Sequence, residues 1–317
     1  MPKLQVLYAL FAAALTSTSA LACSSCGCDL ASDWVSRDLA VDPGTTLTLR
    51  YNYVPQTQLR AGTDQVDHTA ILLPTTREIE QHTFNHYALL GLDHMFNGHW
   101  AVNVQLPYSA HPHATVAAGD TNVSTSDTQG LGDLRVVARY QQQGAAGVTG
   151  VQFGLKLPTG GFHQTFQSGP AAGQPVDRGL QAGTGTAHLL VGGYRFGKLN
   201  GSFDYLMQVQ AELPLTNREA YRPGISGIAS LGVSYSKWHA IKARLELNLR
   251  AAGKDHGANA DPDNSGGVQL SVSPGFTVPL GRRISAFGTL QLPLYEQVNG
   301  FQLAPRATLS GGVSWRL

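Results

Sequence analysis

Residues 241–250 read Ile241-Lys242-Ala243-Arg244-Leu245-Glu246-Leu247-Asn248-Leu249-Arg250. Apolar and polar side chains alternate without a break, which is the period of a strand whose two faces meet different surroundings. Phe203, Tyr205, Met207, Val209, Ala211 and Leu213 alternate in the same way with Ser202, Asp204, Gln208, Gln210 and Glu212, and only Leu206 interrupts the polar file. A third such stretch sets Val268, Leu270, Val272, Phe276, Val278 and Leu280 against Gln269, Ser271, Ser273 and Thr277.

Outward from these, period-2 segments lie near 45–55, 78–96, 98–108, 130–142, 148–159, 184–196, 201–215, 224–237, 240–252, 267–280, 284–296 and 302–316. The segment 78–96 resists phasing, because Tyr87, Leu89, Leu90 and Leu92 fall on both faces. The composition agrees with an all-β chain: 14% of its 317 residues are charged, 36 are glycine, and mean hydropathy is −0.10. Its net charge of +1 gives no electrostatic reason to expect a nucleic-acid partner.

The start of the chain has the pattern of an export signal. Lys3 carries the positive charge, Leu4 to Leu15 form a short apolar stretch, and Ala20-Leu21-Ala22 offers a small-residue cleavage site. The expected organisation is a cleaved signal peptide at 1–22, a Cys-rich periplasmic segment at 23–44 and a barrel at 45–317. Beyond the signal no apolar run is long enough for a transmembrane helix.

Alternation also occurs in soluble sandwiches, so connection lengths must decide. The linkers at 97–98, 143–147, 197–200, 238–240 and 281–283 are tight, with Asn97-Gly98 and Asn200-Gly201 as turn residues. Those at 56–77, 109–129, 160–183, 216–223, 253–266 and 297–301 are mostly longer and irregular. Long and short alternate strictly, as in a transmembrane antiparallel β-barrel of about twelve strands, with short turns in the periplasm and long loops outside.

Aromatic residues fall into two bands, as interfacial anchoring requires. Phe96, Trp100, Tyr140, Phe196, Phe203, Tyr235, Trp238, Phe287 and Trp315 lie toward the short turns, and Tyr51, Tyr53, Tyr108 and Tyr295 toward the opposite strand ends. Five outward-running strands carry a proline that should mark the rim where pairing stops: Pro55, Pro107, Pro158, Pro214 and Pro293.

If the apolar file faces lipid, the polar file lines the lumen. Its basic members are Arg50, Arg135, Arg139, Lys156, Arg195, Lys242, Arg244, Arg250 and Arg306; its acidic members are Asp133, Asp204, Glu212 and Glu246. Nine against four leaves an excess of five positive charges, which would favour anionic or neutral-polar solutes. Equally, these charges can pair across strands and fill the barrel.

Gly130-Leu131-Gly132-Asp133-Leu134, Leu155-Lys156-Leu157-Pro158-Thr159-Gly160, Gly183-Thr184-Gly185-Thr186 and Gly192-Gly193-Tyr194-Arg195-Phe196 make residues 80–317 similar to an outer-membrane transporter family associated with the meta-pathway of phenol degradation. The resemblance implies a barrel and movement of small, often aromatic, compounds. The final strand, Gly311 to Leu317, is similar to those by which barrels are recognised for insertion, with Leu317 in place of the usual terminal aromatic. Expected partners are therefore outer-membrane lipids, the barrel-assembly machinery and small solutes, and the expected location is the outer membrane of a Gram-negative bacterium.

All three cysteines lie in Cys23-Ser24-Ser25-Cys26-Gly27-Cys28. A soft metal ion or a strained disulfide fits this spacing, and a lipid anchor at Cys23 is a further alternative, although Ala20 stands where a lipid-attachment box wants leucine. Otherwise no cofactor is implied. His82 with His86, His111 with His113 in an outer loop, and Asp261-Pro262-Asp263-Asn264-Ser265-Gly266 are weaker metal patterns; the last lacks an acidic twelfth residue, where Val272 stands. A channel is the leading function. Behind it stand a barrel anchor whose segment 23–44 binds metal or docks a periplasmic redox partner, and a lipid-modifying enzyme with His188 as its only base by elimination. No nucleophile motif supports an enzyme.

Overall fold

The computed structural model describes residues 42–317 apart from 146, 238 and 239. The segments at 1–22 and 23–41, with Cys23, Cys26 and Cys28, lie outside the described residues, as does Trp238. Fifteen strands follow one another: β1 (Gly44–Ala61), β2 (Asp64–Gln65), β3 (Ile79–Met95), β4 (Trp100–Val116), β5 (Val123–Leu131), β6 (Leu134–Gly144), β7 (Gly147–Leu157), β8 (His188–Lys198), β9 (Phe203–Pro214), β10 (Ser226–Tyr235), β11 (Lys242–Ala252), β12 (Gly267–Pro279), β13 (Ile284–Val298), β14 (Phe301–Pro305) and β15 (Thr308–Arg316).

Twelve of them close an antiparallel wall in the order β1, β3, β4, β6 to β13, β15. The ends meet where β1 pairs with β3 from Gly44↔Met95 to Gln56↔Thr83, and with β15 from Thr46↔Arg316 to Tyr53↔Leu309. Closure satisfies the backbone of both edges internally, the condition for crossing a bilayer with strands. Asn97 and Asn200 build two of the short turns, each side-chain oxygen accepting the amides two and three residues later.

The wall is inside-out relative to a soluble protein. On β11, Leu245, Leu247 and Leu249 are 49%, 42% and 45% exposed, whereas Glu246 and Asn248 between them are buried. Water would penalise such an apolar outer surface and lipid does not. Exposed Phe96, Trp100, Phe203 and Trp315 at the short-turn end, and Tyr51, Tyr108 and Tyr295 at the other, form the expected bands. Two of the expected aromatics point inward instead. Phe287 is buried, and Phe196 packs with Val148, Tyr194 and Leu206 in an apolar cluster inside the barrel. Tyr87 and Leu89 are buried while Leu90 and Leu92 are exposed, which settles the phase of β3.

Pro158 and Pro214 stand where β7 and β9 end, as expected, but Pro55, Pro107 and Pro293 lie inside longer strands and have a different meaning. Pro55 and Pro107 lie within strands that continue to Ala61 and Val116. At Pro107 the partner of β4 changes from β6 to β5, and beside Pro55 the partner of β1 changes from β15 to β14. Proline removes one donor from the ladder, so it is tolerated where one neighbour hands over to another. Much of 56–77 and 109–129 is therefore strand extending past the wall, not irregular loop. The last expected segment, 302–316, is likewise divided into β14 and β15.

Candidate functional site

Four neighbouring strands bring charges together at the long-loop end of the lumen. Register places Arg135 of β6 opposite Lys156 of β7, and Lys156 opposite His188 of β8. Glu212 of β9 lies within ion-pair distance of all three: Arg135 at 3.2 Å, Lys156 at 3.2 Å and His188 Nδ1 at 2.5 Å. Lys156 also lies 3.6 Å from Asp133. These groups are nearly shielded from solvent, so each charge needs the others.

Asp133 sits in the two-residue break between β5 and β6. From there it holds both legs of the segment 158–187. Its Oδ1 accepts the Gly160 amide at 3.0 Å, and its Oδ2 accepts the Thr184 amide at 3.0 Å and the Thr184 hydroxyl at 2.8 Å. The legs approach because three glycines pack backbone to backbone. A Cβ on Gly160 would come within 2.7 Å of Gly183 Cα, one on Gly183 within 2.5 Å of the Gly160 carbonyl, and one on Gly132 within 2.9 Å of the Ala182 carbonyl oxygen. No side chain fits there.

Beyond this pinch the segment folds over the lumen as a roof. Phe166, Ala171, Val176 and Leu180 form its own small core. Gln164 exchanges hydrogen bonds with the backbone of Gln129 on β5, and Thr128 bonds to the Leu180 carbonyl. Arg178, in a single 3-10 turn at Arg178–Leu180, reaches the next loop: it lies 3.1 Å from Glu219 and stacks over Phe162 at 4.3 Å and Tyr221 at 5.3 Å. Tyr221 donates in turn to Asp255 at 2.9 Å. Burial, with Glu78 and Asp255 adding like charge, pushes the Asp177 carboxyl in the roof well above its usual range.

Beneath the roof is a cavity of about 140 Å3. Asp133, Arg135, Lys156, Arg178, Glu212, Arg250 and Asp255 contribute charge to its lining, His188 an imidazole, and Tyr87, Leu89, Pro107 and Tyr221 apolar surface. Tyr87 and Leu89 were missed because their strand could not be phased, and the roof residues because a loop sequence does not show where the loop folds.

Of the residues expected in the lumen, Arg50, Arg135, Arg139, Lys156, Asp204, Glu212, Lys242, Arg244, Glu246 and Arg250 lie on the inward file. Asp133 is buried at its rim. Two are placed elsewhere. Arg195 is exposed on the outer wall, opposite outward-facing Met207, because Tyr194 and Phe196 take the inward positions of β8. Arg306 is exposed in the break between β14 and β15, outside every ladder. Asp93 was not anticipated. It faces inward and grips the fully buried Arg139 at 2.6 Å. With Asp93 added, the expected residues on the inward file number seven basic side chains (Arg50, Arg135, Arg139, Lys156, Lys242, Arg244, Arg250) against five acidic ones (Asp93, Asp133, Asp204, Glu212, Glu246). The buried Glu80 and Glu296, the latter paired with Arg60 at 2.9 Å, narrow the balance further. The excess is far smaller than five. Arg244 lies 3.3 Å from Glu246 and Lys242 3.7 Å from Asp204, so pairing runs down the lumen.

The weaker metal patterns have other uses. His86 Nδ1 bonds the Tyr51 hydroxyl at 2.6 Å on the outer wall. His111 and His113 are buried in β4 and not in a loop, bonded to Asn85 and Thr83. Asp261 accepts the Asp263 and Asn264 amides and the Asn264 side chain, which closes a polar turn. Among the described residues, no group of three His, Cys, Asp or Glu is arranged to hold a metal ion.

Thr186 Oγ1, His188 and Glu212 form a hydroxyl–imidazole–carboxylate chain, with 2.7 Å between Thr186 Oγ1 and His188 Nε2. The order is that of a nucleophilic triad. Thr186 is fully buried, however, and its hydroxyl also meets Thr184 at 3.0 Å, so the chain braces the foot of the roof.

No protein-family model matches this chain, and no curated protein matches it. Its fold is similar to that of an outer membrane channel from Pseudomonas putida F1, with a TM-score of 0.66 and 15% identity over 88% of this chain and 97% of that one. It is also similar to the translocator domain of the autotransporter NalP from Neisseria meningitidis, with a TM-score of 0.51 and 9% identity over 90% and 92% of the two chains. At these identities the likeness is one of architecture: the chain has the fold of an outer-membrane β-barrel.

Proposed function

We propose that this protein is an outer-membrane channel for small solutes, without enzymatic activity, whose outer mouth is covered by the roof at 158–187. One observation carries the reading: a closed wall with an apolar exterior encloses paired charges that lead to a cavity under a loop pinned at both legs. A barrel serving only as an anchor would gain nothing from a roof held by buried ion pairs and a backbone pinch. The cavity lining combines aromatic and aliphatic surface with guanidinium and ammonium groups, which suits small aromatic compounds, acidic ones included. The resemblance to transporters associated with phenol degradation supports the same solute class.

The charge balance makes ion selectivity weak. In planar bilayers the purified barrel is expected to conduct with a slight preference for anions, and benzoate-like acids should block small-ion current from the long-loop side. A membrane that stays silent with correctly folded protein, or a clear cation preference, would refute the proposal.

A further inference from the structure

Arg195 is charged and exposed on a wall that is largely apolar. It lies three residues before the end of β8 at Lys198, about 8 Å from the short-turn end at the usual rise and tilt of barrel strands. Its Nε donates to the Tyr205 hydroxyl at 3.1 Å, and among the described residues no carboxylate lies within ion-pair distance. Register sets Thr149 of β7 directly beside it, also exposed. Thr149, Arg195 and Tyr205 thus make a small polar island of donors on three adjacent strands.

The island adjoins a groove. Arg195 forms the β8 end of a depression of about 510 Å3 that crosses the outer wall as far as Leu270 of β12. Its floor is low because Gly193 and Ala229, in one cross-strand row with Val209 and Leu249, carry little or no side chain, while Met207, Leu231 and Leu247 stand beside them. The size falls within the range of ligand sites.

We infer that this groove binds one phospholipid of the leaflet at the short-turn end, its phosphate on Arg195 and its acyl chain along the Gly193–Ala229 floor. Charge complementarity selects the occupant: a guanidinium with free donors at the end of an apolar trough matches an anionic phosphate on a hydrocarbon tail. A second barrel would offer the trough apolar surface and leave the guanidinium unsatisfied. The inference rests on the membrane placement of the barrel and not on conduction, so it stands or falls separately from the channel current.

Native mass spectrometry of the detergent-purified barrel with added phosphatidylglycerol tests it. The wild type should keep one lipid under activation that strips the rest. R195Q should retain it about tenfold less, the loss of one charge-assisted contact, and A229F should exclude it by filling the floor. Heat-modifiable gel mobility confirms that both variants are folded. Equal retention by R195Q and wild type would overturn the inference. So would barrel dimers that A229F abolishes and R195Q leaves intact, which would make the groove a subunit interface.

Discussion

Replacing Asp133 by alanine removes a carboxylate that is bonded to both legs of the roof. Three hydrogen bonds of 2.8–3.0 Å disappear, from the Gly160 amide, the Thr184 amide and the Thr184 hydroxyl. Bonds to a charged acceptor contribute about 1.5–3 kcal/mol each and act as a unit, so the loss to the closed roof is about 4 kcal/mol. Lys156 keeps Glu212 as a partner, so the barrel wall itself should hold. A change of about 4 kcal/mol corresponds to nearly a thousandfold in the opening equilibrium. Hydrogen exchange of peptides spanning 158–187 should accelerate by about that factor, while β9–β12 peptides keep their protection. Single-channel records should show larger or more frequent openings. Asp133→Asn keeps an acceptor and loses the charge, so it should fall between. Unchanged exchange at 158–187 in folded Asp133→Ala protein would refute the idea that this carboxylate holds the roof.

The backbone pinch gives a second test. Gly183→Ala places a methyl 2.5 Å from the Gly160 carbonyl and should loosen the roof by about 1–3 kcal/mol, whereas Gly161→Ala, with nothing within 4 Å, should be silent in the same exchange assay. The roof should also respond to pH. Because the folded state raises the Asp177 pKa, its contribution is present in acid, below the ordinary carboxylate range, and is lost as pH rises through the raised value. Protease nicking within 160–184, normalised to an unstructured control peptide, should therefore quicken toward neutral pH, and Asp177→Asn should flatten that rise. Glu219 works in the opposite sense: hydrogen bonding to His163 and the nearby Arg178 hold its carboxyl down, so its contribution fades only as pH falls below the usual carboxylate range.

Much of this architecture could be read from local chemistry. Strict alternation at 241–250, Asn-containing turns and the order of short and long linkers are enough for a barrel of about twelve strands, since side-chain period and turn chemistry are properties of neighbouring residues. They also phase most of the lumen correctly, including Arg135, Lys156, Glu212 and Glu246. Where both files of a strand are mixed, the reading failed: Asp93 was overlooked on β3, and Arg195 was assigned to the lumen on β8. Its true direction depends on Val148 and Leu206, which draw Tyr194 and Phe196 inward from strands that are neighbours only in the closed ring.

The site required more than alternation. The motifs around Gly132-Asp133, Gly160 and Gly183-Thr184 were visible as a family resemblance, without any sign that they touch. Sequence determined which segments build the wall and, on strands with cleanly separated files, which side chains face inward, because those depend on contacts a few residues long. Tertiary structure alone decided that a loop becomes a roof, because its pinch joins backbones more than twenty residues apart and its anchoring carboxylate comes from the break between β5 and β6.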